Sequence, residues 1–90
     1  MPSYLVETYL ARSSPEERVE RERRARSVAE ELTRGGNRVR FDGAIHVPED
    51  EVCFFVFVAS SSRDAALAAE RAGLDAMRVV EAIASREERT

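Results

Sequence analysis

Six side chains in this sequence are of types that could do chemistry: Glu7, Tyr9, Asp42, His46, Cys53 and Glu81. Two glutamates held close in a water-poor place raise one another's proton affinity, which suits one of them to act as a general acid or base. Glu7 and Glu81 are the candidates for that pair, or for anchoring a metal. Their simpler fate is an ion pair each, with an arginine such as Arg40 or Arg78. His46, the sole histidine, could ligate nickel or another divalent transition metal as neutral imidazole. Asp42 would then supply the carboxylate that offsets the metal's charge. Without a metal, His46 is a solvated residue of an edge strand. Cys53 stands among large apolar residues and reads as a buried structural thiol. Its sharper alternative is a nucleophile or a ligand-binding residue, and Tyr9 is the other candidate for ligand binding. The glycines never form a phosphate-cradling loop and there is no paired Cys or His spacing for zinc, so no nucleotide cofactor is expected.

These side chains need elements to position them. Ninety residues make one domain, and so short a chain leaves much of its surface in water unless a partner covers it. A hydrophobic content of 43% is that of a folded protein. No apolar run approaches the ~20 residues of a membrane helix. Met1-Pro2-Ser3 leads straight into a strand pattern without a signal-like stretch, and a single cysteine suits a reducing compartment, so the expectation is a cytoplasmic protein. All 14 basic residues are arginine, yet the net charge is −3. Between Ser14 and Arg34 six arginines alternate with six glutamates. The spacings Glu17/Arg21, Glu20/Arg24 and Glu22/Arg26 make a solvated helix face rather than a nucleic-acid surface.

Tyr4 to Leu10, rich in β-branched and aromatic residues, reads as a first strand. Ser14-Pro15-Glu16-Glu17 then opens a helix with a capping-box spacing, and Gly35-Gly36 ends it. Its apolar stripe, Ala25, Val28, Ala29 and Leu32, lies in the second half, so the first half is expected to overhang. Arg38 to Val47 alternates, with Val39, Phe41, Ile45 and Val47 on one side and Arg40, Asp42 and His46 on the other. Pro48 to Glu51 makes a turn. Val52 to Val58 is apolar on both faces and reads as a central strand. Ser61 and Asp64 repeat the capping spacing ahead of a helix with a face of Ala65, Ala68, Ala69 and Ala72, stopped by Gly73. Arg78 to Ala84 is the last strand, and 85–90 is a polar tail beyond a single domain spanning 1–84.

The order βαββαβ with right-handed crossovers gives an α+β, ferredoxin-like split βαβ fold: a four-stranded antiparallel sheet with both helices on one face. Carboxylates avoid the covered side, so Glu7 and Glu81 are expected side by side on the open face. Leu5 and Tyr9 would accompany Glu7, and Val79 and Ile83 would accompany Glu81. The central strand would add either Cys53, Phe55 and Phe57 or Val52, Phe54 and Val56. In either register the patch is larger than a monomer exposes, which predicts a homodimer, a dimeric α+β barrel.

Val39 to Val58, with Pro48-Glu49-Asp50-Glu51 leading into Cys53-Phe54, resembles the central signature of a family of small bacterial ferredoxin-like proteins. That family is related to a nickel-binding protein and is catalogued as a domain of unknown function. Tyr4-Leu5-Val6-Glu7, Glu70-Arg71-Ala72-Gly73-Leu74 and Arg78-Val79-Val80-Glu81-Ala82 extend the resemblance over about residues 3 to 84. It differs at Ala44, where members often carry Ser, at Asp75, where they often carry Pro, and at His46, where an apolar residue is common. The resemblance implies the fold and the homodimer, and metal binding only at family level, with no ligand set carried onto this chain. Three functions follow as expectations. The first is a homodimer binding a metal or small ligand at its interface. The second is a cofactor-free enzyme with Glu7 or Glu81 as general base. The third is a purely structural or regulatory dimer.

Overall fold

A computed structural model of the chain describes residues 1–85. Six strands and α-helices follow in order, β1 (Ser3–Tyr9), α1 (Pro15–Arg34), β2 (Val39–Val47), β3 (Val52–Ala59), α2 (Ser62–Arg71) and β4 (Arg78–Ala82), with a short 3-10 turn, Pro48–Asp50, between β2 and β3. The last five residues, most of the expected polar tail, lie outside the described residues. The strands form one antiparallel sheet in the order β2-β3-β1-β4. Both helices pack on one side of it, an α+β arrangement compatible with a ferredoxin-like fold.

The two helices begin with the same sequence device and end up capped differently. Ser61 sits in extended backbone and its hydroxyl accepts from the Asp64 amide at 3.2 Å, so α2 has the expected cap. Ser14 spaces the same way ahead of Glu17, but no side-chain cap forms. Its amide donates to Ala11 O in a tight turn (3.2 Å), which holds Ser14 at φ −123°, ψ 59°, away from the extended cap geometry of Ser61. At the far end of α2, Gly73 takes φ +68°, and the Leu74 amide returns to Ala69 O at 3.1 Å. The left-handed residue is a glycine because a Cβ would be strained there.

Alternation assigns the core. Tyr4, Val6 and Thr8 of β1, Leu10 just beyond it, and Cys53, Phe55 and Phe57 of β3 are buried against Ala25, Ala29 and Leu32 of α1 and Ala65, Ala68 and Ala69 of α2. The alanine face lets α2 lie close over the central strands. Arg24 ties the helices together, donating from Nε to Ala72 O at 2.8 Å. The first half of α1 does not overhang. Arg21 donates to Tyr9 O at 2.9 Å, and Arg18 and Glu22 are partly buried, which brings charged residues over the Cys53 end of the sheet. Of the expected helical ion pairs, Glu17–Arg21 (2.7 Å) and Glu20–Arg24 (3.8 Å) form. Glu22 instead pairs with Arg18 (3.7 Å), and Arg26 lies over the Phe41 ring at 5.5 Å.

Candidate functional site

A β-bulge decides where the chemistry-bearing residues of β2 point. The β2–β3 register runs Val39 to Ala59, Arg40 to Val58 and Phe41 to Phe57, then skips to Gly43 against Val56, leaving Asp42 as the extra residue. Gly43 is at φ +124°, a conformation that costs glycine little. The extra residue inverts the alternation beyond it. Ala44 and His46 therefore join Val39 and Phe41 on the helix side, while Ile45 and Val47 turn to the open side. Two expectations are corrected here: Ile45 and Val47 do not face with Val39 and Phe41, and His46 does not project outward with Arg40 and Asp42.

His46 stands across from Cys53, partly buried, and its Nε2 is enclosed without a hydrogen-bond partner among the described residues, as is Arg18 Nε. Asp42 remains at the surface, where Arg40 Nε donates to it at 3.0 Å. The metal pair proposed from sequence is thus split, one member turned toward α1 and the other engaged by an arginine. Among the described residues no group of three or more His, Cys, Asp or Glu side chains is arranged to hold a metal ion. His46 and Asp42 do not fit a nickel centre within one chain. An open groove of about 620 Å³ passes His46, lined also by Arg12, Ser13, Val47, Pro48 and Glu49.

Cys53 is fully buried on the covered side, where Thr8 donates from its hydroxyl to the Cys53 carbonyl at 2.9 Å. Burial pushes the thiol above its ordinary range. Glu22 adds to that push, and Arg18 and Arg21 oppose it. Such a thiol is a poor nucleophile and poor ligand at neutral pH, and it cannot share a pocket with Tyr9, which projects to the opposite face and is 58% exposed.

The paired-carboxylate expectation also changes. Residues paired across strands share a face, and β1 pairs with β4 as Glu7 to Arg78, Leu5 to Val80, Val6 to Val79 and Tyr4 to Glu81. Glu7 therefore lies on the open side and Glu81 on the helix side, so they are not neighbours. Val79 packs against the core, and Ile83, beyond the end of β4, is 91% exposed. Glu81 can face the helix side because β4 is an edge strand and its carboxylate there reaches water. Glu7 takes the ion-pair alternative: Arg78 Nε donates to its Oε1 at 2.7 Å.

Reading the three registers together lays the open face out in four rows across β2, β3, β1 and β4. The first is Arg40, Val58, Ser3 and Ala82; the second is Gly43, Val56, Leu5 and Val80. The third is Ile45, Phe54, Glu7 and Arg78, and the fourth is Val47, Val52 and Tyr9. The central strand contributes Val52, Phe54 and Val56, the second of the two registers open from sequence. The face carries charge only at two diagonally opposed corners: Arg40 with Asp42 on β2, and Glu7 with Arg78 on β1 and β4. Among the six residues singled out by type, this face gathers Glu7 and Tyr9, with Asp42 at its β2 corner. Sequence reasoning missed the place of Ile45 and Val47 in it. The signal was present in Asp42-Gly43, since a glycine inside a strand pattern marks a bulge.

No family model, curated protein or solved structure matches the chain in comparisons with known proteins. Among the described residues no helix is long and apolar enough to cross a membrane.

Proposed function

We propose that this chain works as a homodimer, closed through the open faces of two sheets, that binds a small ligand between the copies. The observation that carries this reading is the open face itself. Ile45 is 55% exposed and Tyr9 58% exposed, with Leu5, Phe54, Val56 and Val80 partly exposed between them. At ~25 cal/mol per Å² of apolar surface removed from water, covering such a face outweighs the cost of association only if the partner matches it in shape and in the placing of its charges. A second copy supplies the same apolar area and the same two ion-paired corners. The result is the dimeric α+β barrel named by the family resemblance, and the resemblance lends it that support and no more.

The ligand half of the proposal rests on three polar groups set in this apolar face: the Tyr9 phenol, the Glu7 carboxylate and the Arg78 guanidinium. An apolar surface with a few convergent polar groups is the usual composition of a small-molecule site. The nickel expectation enters only as an alternative ligand class whose donors would have to come from two chains.

Light scattering of the native protein at micromolar concentration tests the pairing, with twice the 10.1 kDa chain mass as the expected result. Side-chain resonances of Tyr9 and Arg78 followed against a panel of small carboxylates, amines and nickel test the ligand. Saturable shifts lost in Tyr9→Ala support binding, and a dimer indifferent to the whole panel would leave only the structural reading.

A further inference from the structure

We infer that the groove between α1 and β2 is a ligand site of its own, one that takes a small apolar monocarboxylate with the carboxylate on Arg26. It does not depend on the face-to-face pairing proposed above, because Val39 and Phe41 of the groove lie on the helix side of the sheet.

The groove is open and measures about 620 Å³, within the range of small-molecule sites. Ala29, Val39 and Phe41 form its floor, and its rim carries Arg26, Arg34 and Arg40 against the single carboxylate of Glu30. Residues 26, 29, 30 and 33 share one stripe of α1. The turn at Gly35 and Gly36 sends the chain back along the helix, so Thr33 meets Val39 and Arg26 meets Phe41. Thr33 Oγ1 donates to Val39 O at 2.8 Å and accepts the Val39 amide at 3.1 Å. Its hydroxyl is thereby engaged, and between the ends of the groove a ligand meets apolar surface.

The charges single out one residue. Arg40 gives its Nε to Asp42 at 3.0 Å. Glu30 is four residues from both Arg26 and Arg34 and offsets one of them; the glutamate-first orientation favours Arg34. Arg26 is left over. Glu22, the carboxylate one turn before it, is engaged by Arg18 at 3.7 Å. Among the described residues no carboxylate forms an ion pair with Arg26. The groove therefore carries a surplus of one positive charge in a chain whose net charge is −3.

The Arg26 guanidinium lies 5.5 Å from the centroid of the Phe41 ring. A guanidinium resting on an aromatic face is held in place while its edge keeps its N–H donors open to an oxyanion, and that fork matches a carboxylate in two-pronged fashion. One carboxylate there neutralises the surplus. A dianion would exceed it and crowd Glu30. Arg26 and Thr33 are ~10 Å apart along the helix axis, which is room for a short alkyl chain laid over Phe41 toward Val39.

Titration of the full-length protein with hexanoate, followed by the Arg26 Nε–H and Phe41 ring resonances, tests the site. Both should shift saturably. Hexanamide, which lacks the charge, and acetate, which lacks the chain, should each bind about ten-fold more weakly or worse, and Arg26→Gln should weaken hexanoate to a similar degree. Arg26→Lys, which keeps the charge without the fork, should fall between. Tyr9→Ala, on the opposite face, should leave the titration unchanged. An absence of saturable shifts at Arg26 and Phe41, or equal affinity for hexanamide, or undiminished binding in Arg26→Gln, would overturn the site whether the protein is a monomer or a dimer. Loss of the titration in Tyr9→Ala would overturn it in favour of the open face.

Discussion

The two faces of this sheet are nearly equal in apolar content and opposite in fate. On one, Val6, Cys53, Phe55 and Phe57 are completely buried beneath α1 and α2. On the other, Leu5, Phe54 and Val56 come from the same strands in alternate positions and Ile45 from the neighbouring β2, with no element among the described residues to cover them. A monomer gains nothing from a second apolar face, so the difference teaches that apolar patterning beyond what one chain can bury is information about an assembly. The charges agree. Carboxylates and guanidiniums on the open face are confined to two corners, whereas the covered face admits Arg18, Glu22 and His46 at one end, where only the first turns of α1 lie over it.

Substitutions at neighbouring positions of β3 should separate the faces most strongly. Phe55→Ala empties a fully buried site under the helices and should cost about 3–5 kcal/mol of unfolding free energy at any protein concentration. Phe54→Ala, one residue away, should cost far less in dilute protein, and its penalty should grow with concentration as association contributes to stability. Denaturant unfolding at two protein concentrations distinguishes them. Equal, concentration-independent losses would erase the contrast.

The helices that make the cover can be tested at their starts. Ser61→Ala removes a side-chain cap and should destabilise by about 1 kcal/mol, whereas Ser14→Ala removes none and should fall near zero. Thermal unfolding of the pair checks this.

Thiol chemistry gives the mildest readout. Burial holds Cys53 in its protonated form where an unfolded chain's thiol, with its range near ~8.5, has begun to ionise. The folded chain therefore binds the proton more tightly. The stability this contributes is intact below the ordinary thiol range and declines as pH rises through it. Native Cys53 should resist a thiol reagent at pH 8, and Cys53→Ala should flatten the alkaline decline. A cysteine introduced by Val56→Cys on the open face should instead be protected only at concentrations where the protein associates. Rapid labelling of native Cys53 would show that the covered face is not sealed.

The order of elements was legible because it rests on local signals: the 3.6-residue stripe of α1, the alanine face of α2, Gly35 and Gly73 as stops, and a β3 apolar on both sides. The candidate site was legible only where parity counting is safe. Glu7 sits in a regular strand, so its place with Leu5 and Tyr9 could be counted. His46 lies past the bulge at Asp42, and one extra residue reversed its face, taking the proposed metal pair apart. Glu81 failed for a different reason. Its assignment assumed that the helix side is closed to carboxylates everywhere, and at the edge strand β4 it is not. The first error had a local signal in Gly43, a glycine inside a strand pattern, whereas the second is tertiary, since the limit of the helical cover is not written in local periodicity.

The central claim, that the open face exists to be covered by a second copy, is met most directly by sedimentation equilibrium on the native protein and on Ile45→Asp, with circular dichroism on both. Ile45 is on an edge strand and outside the monomer core, so the variant should keep its fold while placing an unpaired charge within the face proposed to be covered. The expected result is a native dimer and a folded, monomeric variant. A native protein that sediments at the mass of one chain, or a variant that associates as tightly as the native protein, would contradict it.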